Sequence, residues 1–169
     1  MHKSIESYGL AQICDFLNLK KITFKNFLIS TGIFLSAIVL TMLVNMLFVH
    51  ILNGKIFPPV QMLVGVYRPN NTIKALIVVG LVFGGVFEEL FWRGYWIKRQ
   101  VARYGKNAWI INAVLWSISH IIAYNPIKII FIAFSFSFIS NRYRTSTITV
   151  VFHSIINIFV GLRLITAYS

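Results

Sequence analysis

The feature that most constrains this chain is a series of long apolar segments separated by short basic connectors. The first segment, residues 27–50, contains no Asp, Glu, Lys or Arg and would be about 36 Å long as a helix. A helix needs about 20 apolar residues to cross the hydrocarbon core of a bilayer. Because the whole chain is 57% hydrophobic and only 12% charged, we predict an integral membrane protein rather than a soluble domain.

Breaker residues and basic connectors divide the chain into about five predicted spans. Asn-Gly, Pro-Pro and Pro-Asn pairs mark residues 51–73 as a loop, whose apolar middle at residues 60–67 suits the membrane interface. The predicted fold class is all-α: a polytopic transmembrane helical bundle of residues 27–169, preceded by a cytoplasmic segment of residues 1–26 that forms an interfacial helix. The spans are predicted at residues 27–50, from residue 74 through the acidic pair described below, and at residues 108–123, 127–140 and 147–165.

The basic residues indicate orientation and exclude nucleic acid as a partner. Although the net charge is +12, Lys and Arg flank the apolar segments and do not form a patch. Eleven of the 16 lie on the N-terminal side of the predicted topology, so the positive-inside bias predicts a cytoplasmic N-terminus. Cys14 is the single cysteine, which excludes internal disulfides and a cysteine-based zinc site.

Two of only four acidic residues, Glu88 and Glu89, stand side by side after the apolar run 75–87. Carboxylates in hydrocarbon are costly, so they mark functional sites or paired networks. On a helix the two side chains point to different faces, and Arg93, four residues after Glu89, can pair with Glu89 but lies about 140° around the helix from Glu88. The alternative, an ion pair that only locks the helix, leaves Glu88 unexplained.

Three further polar side chains lie within predicted spans. His120 belongs to the third span, whereas His153 and Asn157 lie four residues apart on one face of the fifth. Each residue alone is also typical of a hydrogen bond between helices. Together with Glu88 they form a set in which each side chain can supply a polar partner for the others. If the second span continues to Arg99, all four residues lie at similar depth in the membrane.

This set contains the groups that amide hydrolysis requires. A carboxylate and an imidazole can activate a water, with the carboxylate as general base. A second imidazole and an Asn amide can donate hydrogen bonds to a tetrahedral oxyanion, each donor being worth about 2.7–4 kcal/mol. Alternatively, Glu88, His120 and His153 can hold zinc with water in the fourth position, although no His-Glu-x-x-His helix exists. We favour the metal-free account and leave zinc open as a cofactor.

Three motifs, in this order, resemble those of the CPBP family, the CAAX proteases and bacteriocin-processing enzymes that are also called the Abi family. The similarity covers residues 76–159, about half the chain, with a predicted core at about 74–160. The Arg144-Thr145-Ser146 turn also looks like that of the family. The motifs are specific only in combination, and they read Glu88-Glu89-Leu90-Phe91-Trp92-Arg93-Gly94, Trp116 to His120, and His153 to Asn157.

The resemblance implies a CAAX protease-like intramembrane endopeptidase that depends on glutamate or on a metal. On the family pattern Glu88 is the general base and His120 helps to hold the attacking water. His153 and Asn157 match the oxyanion positions, and Glu89 and Arg93 match positions of structural support. Trp116 stands where the family usually has Phe, and the chain is shorter than many relatives, which leaves the choice of substrate open.

We therefore predict an enzyme that hydrolyses a peptide bond of a membrane-associated peptide or protein, in bacteriocin maturation or self-immunity. Its predicted partners are the lipid bilayer and this substrate, and the oligomeric state stays open. The main alternative is a non-catalytic membrane protein that binds or sequesters a peptide or partner. A proton or ion pathway fits less well, because the polar groups cluster in one half of the membrane.

Overall fold

The computed structural model describes residues 9–52, 70–120 and 126–167, and within these ranges all regular structure is helical. The predicted all-α bundle is therefore confirmed. The α-helices are α1 (Leu10–Phe16), α2 (Phe24–Leu52), α3 (Asn71–Glu89), α4 (Ile97–Tyr104), α5 (Ala108–Ser119), α6 (Pro126–Tyr143) and α7 (Thr147–Ala167); a π-helical segment, Leu90–Trp96, joins α3 to α4, and a 3₁₀ turn, Gly105–Asn107, joins α4 to α5.

Two helical stretches of the described chain are long and apolar enough to cross a bilayer. They are Phe24–Leu47 and the run Asn71–Ser119, while Ile129–Tyr143 and Thr147–Arg163 are shorter apolar helices. Large apolar side chains of α2 such as Leu35, Met42 and Met46 are exposed on the outside of the bundle. Contiguous exposed apolar surface is rare in soluble monomers and is expected where lipid is the solvent.

The predicted helix bounds differ from the observed ones mainly at α3. We predicted that the second span begins at Lys74, but the helix begins at Asn71 because the side chain of Asn70 accepts a hydrogen bond from the Ile73 N–H at 2.9 Å. The middle of the predicted loop, residues 53–69, lies outside the described residues. Residues 1–8 of the predicted N-terminal segment, which include Ile5 and Tyr8, also lie outside the described residues, and helix α1 lies in the part of this segment that is described.

Two packed clusters hold the bundle together. Phe34 of α2, Phe136 of α6 and Phe152 of α7 form the centre of the larger cluster, in which the rings of Phe34 and Phe152 stack with centroids 4.6 Å apart. The smaller cluster packs Trp116 of α5 against α6. Helix α7 also packs against α3, where added Cβ atoms at Gly85 and Gly161 would lie 2.6 Å from Asn157 Nδ2 and 2.9 Å from Val78 Cγ2. Glycine at these two positions therefore permits close approach of the two helices.

The π-helical segment is stabilised by a buried polar network that the sequence analysis missed. The carbonyl of Trp92 accepts a hydrogen bond from the Ile97 N–H and a second one, at 3.0 Å, from Asn112 Nδ2. The same amide donates to Gln100 Oε1 at 2.8 Å and accepts from Ser137 Oγ at 2.9 Å. A π-helix widens the turn and is frequent at functional sites, and here it directly follows the acidic pair.

The N-terminal segment is docked onto the bundle below that π-helix. Ser146 donates from its backbone N–H to the Asn18 carbonyl at 2.9 Å and from its hydroxyl to the Leu17 carbonyl at 2.7 Å. Gly94 makes this docking possible, because a Cβ at that position would lie only 2.5 Å from the Leu17 carbonyl oxygen. The glycine of the Glu-Glu-x-x-x-Arg-Gly motif thus serves the contact between the N-terminal segment and the bundle.

Candidate active site

Glu88 and His120 form the more open part of the site. The Oε2 atom of Glu88, in the last turn of α3, lies 3.3 Å from Nε2 of His120, and the two side chains are 41% and 15% exposed. His120 follows the last residue of α5, and its Nδ1 lies 2.9 Å from the Trp116 carbonyl oxygen. Because a carbonyl can only accept, this Nδ1 carries a proton, and Nε2 is the ring nitrogen that faces Glu88.

Glu89 and Arg93 form the closed part of the site. Both side chains are fully buried, and Arg93 Nη1 donates to Glu89 Oε1 at 2.8 Å, across the i, i+4 spacing that the sequence predicted. The guanidinium carbon of Arg93 also lies 4.6 Å from the centroid of the Trp116 ring, a cation–π contact. The ion pair is therefore shielded from water by aromatic side chains.

His153 connects this ion pair to α7. Its Nδ1 lies 2.9 Å from the same Oε1 atom of Glu89 that Arg93 binds. Since a carboxylate accepts, Nδ1 carries the proton, and Nε2 is the ring nitrogen left for another partner. The sequence predicted that His153 and Glu88 share a site, and it did not reveal that Glu89 holds the imidazole.

Asn157 lies one turn further along α7, and its amide is held by α3. Its Nδ2 donates to the carbonyl of Leu81 at 2.7 Å, which uses one of the two N–H groups of the amide. Gly85 lies directly opposite, and this glycine brings α3 within reach of Asn157 and His153. The close approach of the two helices thus sets where both side chains sit.

The four residues Glu88, His120, His153 and Asn157 line one cavity of about 530 Å³. Its remaining walls are largely apolar, and Trp116 and Phe136 close it beside the two imidazoles. The other lining residues are Ile77, Gly80, Leu81, Gly84, Gly85, Ile129, Ile132, Ile156 and Val160. An apolar cavity of this size with a few convergent polar groups is the usual form of a site for a small molecule or an extended peptide.

The described residues do not form a ready metal site. The sequence left open zinc bound by Glu88, His120 and His153, but no group of three His, Cys, Asp or Glu side chains in the described part of the chain could hold a metal ion. One nitrogen of each imidazole is engaged, His153 with Glu89 and His120 with the Trp116 carbonyl, and histidines that bind metal ions commonly have their second nitrogen held in the same way. Zinc at Glu88, His120 and His153 therefore stays a prediction from the sequence.

Asn112, which stabilises the π-helical segment beside the site, could have been identified from the sequence. Asn112 lies within the predicted third span, so the polarity argument applied to His120 would have found it as well. The carbonyl of Leu81 and the π-helical geometry of residues 90–96 carry no such signal, because any residue type has a carbonyl and the π-helix depends on packing.

The fold and the site define a helical membrane protein whose bundle encloses a carboxylate–imidazole pair in an apolar cavity. The family model described as type II CAAX prenyl endopeptidase Rce1-like matches residues 70–159, more than half of the chain. The chain belongs to this family of CAAX-type intramembrane endopeptidases, which confirms the resemblance inferred from the three motifs. Comparison with curated proteins and with solved structures gave no significant match.

Proposed function

We propose that this protein hydrolyses a peptide bond of a membrane-associated peptide or protein, with Glu88 as the general base and His120 as the residue that holds the attacking water. The observation that carries the proposal is the 3.3 Å separation of Glu88 Oε2 and His120 Nε2 at the wall of the cavity. A partly exposed carboxylate beside an imidazole nitrogen is suited to taking a proton from water.

The protonation of His120 defines how the water is held. With its proton on Nδ1, the neutral ring offers Nε2 as an acceptor, so a water that contacts both side chains donates one O–H to each. Glu88 takes a proton as the water oxygen adds to the scissile carbonyl carbon. The same proton passes to the amide nitrogen as the C–N bond breaks, and the products are a carboxylic acid and an amine.

Asn157 and His153 are proposed to stabilise the oxyanion of the tetrahedral intermediate. The second N–H of the Asn157 amide remains as a donor, since the first one binds the Leu81 carbonyl. His153 donates from Nε2 when the ring carries both protons, and the Glu89 carboxylate holds the ring in place through its Nδ1–H. Donors fixed in advance by neighbouring helices lower the barrier because they need no reorganisation during the reaction.

Glu89 and Arg93 are positioning residues in this scheme. Glu89 holds the imidazole of His153 by a hydrogen bond, and Arg93 in turn holds Glu89. Arg93 also lies over Trp116, which lines the cavity beside His120. Both residues thus act on the reaction through the residues that contact the substrate.

The cellular setting is proposed from the distribution of charged residues along the chain. An N-terminus in the cytoplasm of a bacterial cell puts the Glu88–His120 pair in the cytoplasmic half of the membrane. Substrates that reach this depth are peptides or protein tails associated with the inner leaflet. A small membrane-associated peptide of bacteriocin maturation or self-immunity is the substrate class that we favour.

The test compares small membrane-associated peptides and protein termini by mass spectrometry, in cells making wild-type protein or Glu88→Gln at equal membrane levels. The matched control is Asp15→Asn, because Asp15 is an exposed acidic residue outside the cavity. We expect a cleaved species with wild type and Asp15→Asn that is missing with Glu88→Gln. Identical peptide profiles in all three strains, with the cellular phenotype kept by Glu88→Gln, would instead favour a non-catalytic binding protein.

A further inference from the structure

A second cavity, of about 330 Å³, lies where the N-terminal segment meets the start of α4 and the turn that follows α6. Three basic residues line it, Lys20, Lys98 and Arg144, and none of the other described residues that line it is acidic. Those residues are Asn18, Ile97, Val101, Ser140 and Asn141. Three cations around one cavity repel each other unless an anion joins them.

The described residues balance the charges around this cavity only in part. Among these residues, the one ion pair that the three cations form is Lys20 with Asp15, at 3.7 Å and largely exposed. Lys98 donates from Nζ to the backbone carbonyls of Asp15 and Phe16, which are neutral partners. Within the described chain no hydrogen bond or ion pair engages the side chain of Arg144, which leaves its guanidinium available for a ligand.

The backbone around the cavity is locked in an uncommon conformation. Arg144 and Asn18 both have positive φ angles, 53° and 58°, which are unusual for residues other than glycine. The side-chain amide of Asn18 donates to the Arg144 carbonyl at 2.7 Å and accepts from the Thr145 N–H at 3.2 Å, in the orientation that satisfies both groups. Two distant parts of the chain thus hold each other and keep Arg144 beside Lys20 and Lys98.

We propose that this cavity binds a phosphate group, supplied by the headgroup of an anionic lipid at the membrane surface. Basic pockets between helices at the cytoplasmic face are typical sites for such headgroups, and arginine suits the geometry of phosphate oxygens. Apolar side chains, Ile97 and Val101, form part of the wall beside the three cations, as expected for a ligand with both a charged head and an apolar body. The proposal is independent of the proposed catalytic mechanism.

The experiment measures the thermal midpoint of the purified full-length protein in a neutral detergent. Three additions are titrated separately: dioleoylphosphatidylglycerol, dioleoylphosphatidylcholine and inorganic phosphate. We expect a saturable increase with phosphatidylglycerol that phosphatidylcholine does not reproduce. Arg144→Gln and Lys20→Gln should each raise the half-saturating concentration about fivefold, since each basic residue near an anionic surface contributes about that factor.

Matched variants separate a specific site from general surface charge. Arg144→Lys keeps the charge and should keep most of the increase, and Arg103→Gln removes an exposed charge of α4 that does not line the cavity. An increase with inorganic phosphate that is lost in Arg144→Gln supports the phosphate site with free phosphate as the source. Equal responses to the two lipids, or equal losses in Arg103→Gln and Arg144→Gln, would overturn it. If Arg144→Gln does not fold, Lys20→Gln, at a half-exposed side chain, carries the same test.

Discussion

The Oε1 atom of Glu89 lies 2.9 Å from Nδ1 of His153, although 64 positions separate the two residues in the chain. The same oxygen binds Arg93, so the Glu89 carboxylate joins α3, the π-helical segment and α7 at a point closed to solvent. Its neighbour Glu88 is partly exposed and faces the cavity instead. The two adjacent carboxylates thus lie in different environments. Substitution of Glu89 should mainly lower stability, and substitution of Glu88 should mainly lower activity.

Glu89→Gln should destabilise the protein. The variant leaves the Arg93 guanidinium fully buried without a counter-charge, and breaking a buried ion pair in this way costs about 3–5 kcal/mol. A large drop in the thermal midpoint in detergent, or loss of folded protein from the membrane, checks this. A Glu89→Gln variant as stable as wild type would show that the pair does not support the fold.

Glu88→Gln should leave the fold intact and remove activity. Its side chain is partly exposed, and its direct ion-pair partner in the described chain is His120, so the thermal midpoint should stay close to that of wild type. Loss of a general base lowers kcat by about 10²–10⁴-fold. Single-turnover cleavage of the substrate found by peptide profiling measures this, and retained cleavage by Glu88→Gln would contradict the assigned role.

Gly85→Ala should impair catalysis through Asn157. The new Cβ would lie 2.6 Å from Asn157 Nδ2, so the amide must rotate away and lose its bond to the Leu81 carbonyl. We expect kcat to fall, by up to about 10²–10³-fold if the oxyanion donor is lost, with a smaller change in KM.

The double variant Gly85→Ala/Asn157→Ala distinguishes this route from general damage. If the glycine acts through the amide, the two losses are not additive, because residues in contact share one effect. Additive losses would contradict the proposed route. Gly32→Ala is the control, since Gly32 lies outside the cavity and an added Cβ meets no atom within 4 Å.

Gly94→Ala should detach the N-terminal segment. A Cβ at this position would lie 2.5 Å from the Leu17 carbonyl oxygen, a backbone atom that cannot move without breaking its bond to Ser146. Overpacking of this kind costs about 1–3 kcal/mol. We expect a lower thermal midpoint and faster proteolysis within residues 9–20, with Gly32→Ala unaffected. Unchanged proteolysis would mean that the segment stays docked without this glycine.

Chelation should not remove activity. The water-activating step proposed here uses the Glu88 carboxylate beside His120 directly and requires no metal ion. Activity measured before and after treatment with 1,10-phenanthroline should be equal. Loss of activity that zinc restores would overturn this expectation and return Glu88, His120 and His153 to the role of metal ligands.

Much of the fold could be predicted because apolar length and breaker residues act locally. The first and last predicted spans, residues 27–50 and 147–165, agree closely with α2 and α7. The start of α3 was predicted three residues late because the capping role of Asn70 was not recognised. The π-helix could not be predicted, since it depends on the buried contact of Asn112 with the Trp92 carbonyl.

The candidate site shows the same division between local and distant contacts. The Glu89–Arg93 pair follows from i, i+4 spacing, and the placement of Glu88 on another face follows from helix periodicity. The bond from Glu89 to His153 was not predicted, because the sequence does not state which faces of α3 and α7 meet. Gly85 allows α3 and α7 to approach closely enough for this contact, because a Cβ there would lie against Asn157 and His153. At the neighbouring Gly84, an added Cβ would meet no atom within 4 Å.

The sequence by itself determined that this is a helical membrane protein, that Glu88 and Glu89 face different ways, and that His153 and Asn157 share one face. These properties depend on hydropathy and on the fixed rotation per residue of a helix. Only the tertiary structure decided that Glu89 holds His153, that Leu81 holds Asn157, and that residues 17–20 dock beneath Gly94. Such contacts depend on how closely helices approach each other, and this distance is set by side chains that are far apart in the chain.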